Sequence, residues 1–401
     1  MTEHVSGRDV LRQARNLYQH YRDTVEPTDR RVAIIRFEPA ATDPPDWQIR
    51  LQASKVSAEQ KVKSFEHLGF KADHIVLPPE TTRAQFAEVL ERANQDPQTR
   101  AIIVQFPPPA HLRPLVERMD PQKDIDALLK GRSSYQACAT AEGICRVVEP
   151  FAQDDPTIAV VGSKGFVGQG VVTTLREQGH RLMELDAGDD LLKVRDADIV
   201  VSVTGNPGIL GPEHLQPHHR LVVDSGFVPQ ADGSVRGDVQ HAAYHIPQHL
   251  TPVPGGIGPV EMATLMERVI RKEVDPNAQS WKVEPRPYLT KEQMAQGATT
   301  PSASAATTQT PTQQTPKEQQ AQGTTASGAS ATTAEPSAQQ TSVAQQSTPA
   351  SNNPVANAAR LRGLGSGGPA QSAQTPPPGP VAPPRTHAPK PPAPPGPGPG
   401  R

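Results

Sequence analysis

The apolar run TIAVV, residues 157–161, passes without a break into GSKGFVG, where Gly162, Gly165 and Gly168 stand three apart. A buried strand that enters a glycine turn and leaves as a helix over 168–178 is the unit of a doubly wound α/β sheet. Glycine permits the tight turn and the close approach of a pyrophosphate. The helix N-terminus supplies free N–H donors and a positive dipole end. The spacing is G-x-x-G-x-x-G rather than G-x-G-x-x-G, so the context carries the reading. The next strand, RLMELD, ends at Asp186, about twenty residues on, where a carboxylate can accept from both ribose hydroxyls and repels a 2′-phosphate. A glycine turn that binds nothing fits the same residues.

The rest of the first 290 residues repeats the strand and helix rhythm of a parallel sheet with crossover helices. RVAIIRFE (31–38) reads as a buried strand ended by Pro39, and 54–68 as a helix closed by Gly69. HIVLP (74–78) is a second strand, TTRAQFAEVLERANQD a helix capped by Thr81 or Thr82, and AIIVQFP (101–107) a third strand. After the glycine turn, strands are expected up to Thr204 and over 220–226, then a helix over 258–272 with its apolar face at Met262, Leu265, Met266 and Val269. The expected class is α/β with two domains: a parallel-sheet N-terminal catalytic domain over 1–145 and a Rossmann-type dinucleotide-binding domain over 146–255. Residues 256–290 return to the first domain.

Composition separates residues 291–401 from this pattern. The chain has 45 prolines in 401 residues, roughly twice the usual share. Tyr288 is the last aromatic, and after Ala295 the only large aliphatics are Val343, Val355, Leu361, Leu364 and Val381. Such a segment buries too little apolar surface to offset the entropy of ordering it, so a disordered Ala/Thr/Gln/Pro-rich tail is expected. Its PxxP spacings suit a spacer or a binding arm. The formal charge of −2, with no basic run, argues against nucleic acid. No apolar run is long enough for a membrane span, and MTEHVSGRDVL lacks the apolar core of a signal peptide. Two cysteines, Cys138 and Cys145, suit a reducing cytoplasm.

SAEQKVKSFEHLGFKADHIVLP (57–78) places Lys61 in mid-helix, with Ser57 one turn before it on the same face. Spacing alone favours a solvated lysine. Three later segments accompany it: VQFPPP (104–109), KDID (123–126) and TPVPGGIGP (251–259). Together, in this order, they resemble the methylenetetrahydrofolate dehydrogenase/cyclohydrolase family from about residue 5 to 272. The resemblance implies oxidation of 5,10-methylenetetrahydrofolate by NADP or NAD, then hydrolysis of the methenyl product to 10-formyltetrahydrofolate. It implies Lys61 as the acid/base group, Gln105 hydrogen-bonded to it, and Asp126 gripping the pterin amide edge. Ser57, Thr140, Pro254, Gly255 and Gly256 fall at substrate positions. Gly162, Ser163, Lys164, Gly165, Gly168, Asp186, Thr204, Gly205 and Ile257 fall at cofactor positions. The implied partners are tetrahydrofolate derivatives, a nicotinamide dinucleotide and a second copy in a homodimer. The chemistry agrees: burial favours an un-ionised amine, which can take a proton from attacking water.

The chain departs from that pattern at several positions. Ser57 replaces a tyrosine, Ala127 a glycine, and Cys138-Ala139-Thr140-Ala141 a Pro-Cys-Thr-Pro motif, leaving Thr140 in register. Gly162-Ser163-Lys164 replaces Gly-Arg-Ser; with Asp186, the lost arginine favours NAD, although Lys164 offers partial compensation. Val260-Glu261 replaces Met-Thr and is expected to put a charge near the cofactor. A decayed folate- or nucleotide-binding module, its tail serving a partner, is the alternative reading. No metal is expected: His241, His245 and His249 are spaced by four, but Pro247 interrupts them and no acid or cysteine completes a set. Cys138 and Cys145 read as buried packing, Ser225 as a turn residue, and Lys63 as solvated.

Overall fold

The computed structural model describes residues 1–284 and 286–297. The tail expected beyond Gly297 lies outside the described residues. Strand β1 (Glu3–His4) precedes helix α1 (Gly7–Tyr18), which begins at Ser6 and buries Val10, Ala14 and Tyr18 at four-residue spacing. The short α2 (Arg22–Val25) leads into β2 (Arg31–Phe37), buried along all but its first residue. Then follow α3 (Pro45–His67), β3 (Lys71–Leu77), α4 (Arg83–Gln95) and β4 (Thr99–Val104). The three strands form a parallel sheet in the order β3-β2-β4, with Ile35 opposite both Ile75 and Val104.

Helix α3 begins nine residues earlier than residue 54. Pro44 is extended at the N-cap and Pro45 occupies the first turn, where its missing N–H costs nothing. Leu51 is buried, and Trp47 packs against the same core. The helix ends as expected. Gly69 has φ +87°, and Phe70 N–H returns to the Phe65 carbonyl. Of the two threonines expected to cap α4, Thr82 does so, in a reciprocal box with Gln85.

After α5 (Ala139–Val148), the second half runs β5 (Thr157–Val161), α6 (Phe166–Glu177), β6 (Arg181–Leu185), β7 (Ile199–Ser202) and β8 (Leu221–Asp224). A small hairpin, β9 (Val228–Pro229) and β10 (Val235–Arg236), precedes β11 (His249–Leu250) and α7 (Ile257–Glu273). The larger sheet is parallel throughout, in the order β1-β11-β8-β7-β5-β6. Its edge strand comes from the chain's start: Glu3 and His4 pair with His249 and Leu250. Residues 3–4 therefore serve the second sheet, although 1–145 reads as the first domain. Strands of two residues have no periodicity to read.

One apolar core links the two sheets. It joins Ile34 and Ile103 of the small sheet to Ile158, Val201 and Val223 of the large one, through Ile144 and Val148 of α5 and Met266 and Ile270 of α7. Each such side chain contributes about 1.5–3 kcal/mol by leaving water. Helix α7 thus packs against α1 and α5, as its apolar face predicts. Beyond it, Trp281 is buried under the Arg146 guanidinium, 3.6 Å from the ring centroid. Lys291–Gly297 is helical as α8, so ordered structure extends seven residues past the expected start of the tail.

Candidate active site

Lys61 projects from the middle of α3 and is 1% exposed. Its Nζ donates to Ser57 Oγ at 2.8 Å, the contact that one helical turn between them predicts. It also donates to Glu261 Oε1 at 2.6 Å, from the first turns of α7. This is a salt bridge with both side chains largely withdrawn from water. The charge expected of Glu261 thus lies against Lys61.

Gln105 follows directly on β4 and is buried. Its backbone N–H donates to the Ile35 carbonyl at 2.8 Å. Its side-chain Nε2 is buried without a partner. The hydrogen bond to Lys61 that the resemblance implies is replaced by those to Ser57 and Glu261. An unpartnered buried amide costs about 1–3 kcal/mol, so this donor awaits an acceptor.

Asp126 completes the group. Its Oδ1 accepts from Ala139 N at 2.9 Å, at the start of α5. Burial pushes its carboxyl up to about 6; Lys61 pulls it down and Glu261 pushes it up. The other members of KDID serve structure. Lys123 Nζ donates to the carbonyls of Ala93, Asn94 and Asp96. Asp124 accepts from Leu128 N and Leu129 N. Ala127 has φ +50°, a left-handed conformation that suits the glycine it replaces. Thr140 lies in the first turn of α5 and is half-buried. Burial pushes the Cys138 and Cys145 thiols up to about 12, which leaves neither a nucleophile at neutral pH. Lys63 is exposed.

The glycine turn joins β5 to α6 as expected. Gly162 has φ +87°, and a Cβ on Gly168 would stand 2.0 Å from the Gly162 carbonyl oxygen. The helix start therefore lies directly on the turn. No side chain caps α6, so its first N–H groups remain for a ligand. Asp186 Oδ2 accepts from Lys164 N at 2.8 Å, and these backbone bonds hold its carboxyl below the usual range. Ser163 is buried in the turn. The Phe166 ring stacks on Phe106, centroids 5.4 Å apart, so the turn meets the VQFPPP segment beside Gln105.

A pair of buried carboxylates behind these loops escapes sequence reading. Asp224 Oδ1 accepts from Gly226 N and Asp238 N, and its Oδ2 from Val239 N. Asp238 Oδ2 accepts from Ser202 Oγ and Thr204 N, which fixes the loop carrying Thr204 and Gly205. Thr251 Oγ1 accepts from Asp224 N, anchoring the start of TPVPGGIGP. That loop is pressed against α1: Arg8 N–H donates to the Gly255 carbonyl, and Gly255 has φ +109°. A Cβ on Gly7 would stand 1.8 Å from the Gly256 oxygen. Gly256 opens α7 and Ile257 is buried in its first turn. Pro254 precedes them. The alternation of DSG and GDV after strands is the one sequence signal for the aspartate pair.

The class of protein these features define is a two-sheet α/β protein with a dinucleotide-type turn close to a buried lysine–carboxylate cluster. The chain belongs to the tetrahydrofolate dehydrogenase/cyclohydrolase family. Residues 48–126 match its catalytic domain and residues 138–275 its NAD(P)-binding domain. The chain is 32% identical over 232 residues to Bifunctional protein FolD 2 of Myxococcus xanthus strain DK1622, across 54% of this chain and 80% of that protein. Its fold is similar to a FolD methylenetetrahydrofolate dehydrogenase/cyclohydrolase of Campylobacter jejuni, with TM-score 0.58 and 21% identity over 68% of this chain and 98% of that one. It is equally similar to a Trypanosoma brucei enzyme of the same kind, solved with NADP and an inhibitor: TM-score 0.58, 22% identity, 68% and 97% coverage.

Proposed function

We propose that this protein is an enzyme of folate one-carbon metabolism. It hydrolyses 5,10-methenyltetrahydrofolate to 10-formyltetrahydrofolate and oxidises 5,10-methylenetetrahydrofolate with a nicotinamide dinucleotide. The single observation that carries this reading is Lys61, buried in mid-helix and bonded to Ser57 and Glu261 in one group with Asp126. A buried lysine without such work is rare, because desolvating an ammonium is costly. Membership of the family supplies the substrate class.

The residues fit a dinucleotide. Gly168 lets the helix start lie directly against the Gly162 backbone, and the uncapped α6 presents N–H groups to phosphate. Ser163, Lys164 and Gly165 form the turn and Thr204 stands beside Gly162; the resemblance assigns Gly205 and Ile257 to the same ligand. The nicotinamide, when bound, accepts the hydride. Asp186 supports NAD over NADP, because its carboxylate is ionised at the strand end and no arginine is present in the turn to pair a 2′-phosphate.

On the folate side, Asp126 can accept two parallel N–H bonds from a pterin edge. The unpartnered Gln105 amide supplies a donor to the bound substrate. The resemblance assigns Pro254, Gly255 and Gly256, with Ser57 and Thr140, to the same substrate. The first half of the chain carries the folate side and the second the dinucleotide. We place the protein in a reducing cytoplasm, which its two cysteines suit, and as a homodimer paired through the nucleotide domain, as the resemblance implies.

The test is the loss of methenyltetrahydrofolate absorbance with the full chain. The wild type converts it and Lys61→Met does not. Equal rates for the two proteins remove Lys61 from the reaction.

A further inference from the structure

Glu261 has no counterpart in the family pattern, which carries a threonine after the proline-glycine loop and one residue. Its carboxylate nevertheless makes the shortest polar contact of Lys61, 2.6 Å from Nζ. The pair is closed in: the Lys61 side chain is 2% exposed and that of Glu261 15%. Ser57 Oγ takes a second ammonium proton at 2.8 Å. A third N–H remains for the reacting water. A charged ammonium alone is a proton donor and not a base. Hydrolysis needs a base, and this arrangement supplies one at the far side of the amine.

We propose that Glu261 is the terminal proton acceptor in the hydrolysis, with Lys61 as the relay between it and the attacking water. The inference rests on the hydrolytic reading above. As the water oxygen bonds to the methenyl carbon, the C=N π pair moves to the adjoining nitrogen. An Nζ proton passes to Glu261 Oε1, and the amine lone pair this frees takes the water's proton. Lys61 ends the step as it began, and the carboxylate carries the proton to be released. Glu261 acts through Lys61 and not on the substrate.

The other charged and titratable groups around the pair come from three elements. Asp126 and Cys138 face it from the segment between β4 and α5, Arg268 lies further along α7, and Arg8 of α1 stands at the loop ahead of α7. Cys138 stays protonated, its thiol pushed up to about 12 by burial. Asp126 is pushed up in part by the Glu261 charge, so losing that charge moves its titration down.

The experiment is the pH profile of methenyltetrahydrofolate hydrolysis for the full-length wild type and Glu261→Gln, with a thermal melt on each. Under the relay, the wild-type rate rises on the acid side as a carboxylate ionises. In Glu261→Gln the amine must lose its own proton to act. The acid limb then moves to higher pH, and the rate at pH 7 falls about tenfold or more. Glu261→Thr, the family residue, gives the same upward move, whereas Glu261→Asp keeps the wild-type limb. A limb that moves to lower pH shows a lysine base merely held charged by its neighbour, and overturns the relay. So does an unmoved limb, which leaves Glu261 a structural partner. A wild type that fails to hydrolyse the substrate at all overturns the hydrolytic reading, and the relay with it.

Discussion

Lys61 and Glu261 stand 200 residues apart in the chain and 2.6 Å apart in the fold. They meet because α7, after crossing from the nucleotide-binding half, packs against α1, α5 and α3 in the core shared by both sheets. The pair therefore ties the last helix of the core to the middle of α3.

Removing one member of this pair leaves a buried charge without its partner, which costs about 3–5 kcal/mol. Glu261→Ala lowers unfolding stability by about 3 kcal/mol. Lys61→Met alone does likewise, while Lys61→Met with Glu261→Gln recovers most of the loss. Urea unfolding of the four proteins as a double-mutant cycle measures the coupling. Additive losses contradict it.

Asp126 gives stability a pH dependence of known sign. Its carboxyl is raised from 3.8 to about 6 in the folded protein, chiefly by burial. The folded state therefore holds its proton more tightly than the unfolded chain. The stabilisation is present below about pH 4 and is lost as pH rises through 6, up to about 3 kcal/mol. Wild type minus Asp126→Asn, followed by urea unfolding from pH 4 to 7, falls across that window. A difference that is flat with pH rejects the assignment.

Ala127 holds φ +50°, where a side chain is strained. Ala127→Gly relieves about 1 kcal/mol of that strain. Its midpoint of thermal unfolding rises by a few degrees, with no loss of hydrolysis. An unchanged or lower midpoint means that the loop relaxes around alanine.

At the glycine turn, Gly168→Val places atoms where the Gly162 carbonyl already stands, 2.0 Å from the added Cβ. Dinucleotide binding, read by isothermal titration, is lost while folate binding survives. If binding persists, the ligand does not lie on this turn.

The proposed preference for NAD makes Asp186 the determinant between the two dinucleotides. Asp186→Ser removes the ionised carboxylate at the strand end and shifts the ratio of NAD to NADP affinities about tenfold or more toward NADP. The Kd values for both ligands, measured on both proteins, check it. An unaltered ratio leaves Lys164 or another group as the determinant.

Sequence by itself determined the strands, the crossover helices and the glycine turn. These follow from apolar runs, caps and glycines that act within a few residues. Gly69 ends α3 and Thr82 starts α4 by bonds spanning five residues or fewer. The motifs around Lys61, Gln105, Asp126 and Thr251–Pro259 were legible only through their resemblance to a family, not through local pattern. The partners of Lys61 were only half legible. Ser57 is one helical turn away and could be read. Glu261 could not, because its approach depends on where α7 lands. The aspartate pair 224 and 238 and the edge strand Glu3–His4 escaped for the same reason. Their bonds join distant segments, and no local periodicity encodes which segments meet. The tertiary structure alone decided that the amine faces a carboxylate rather than the amide of Gln105. A charge buried in a shared core finds its partner through packing, not through spacing along the chain.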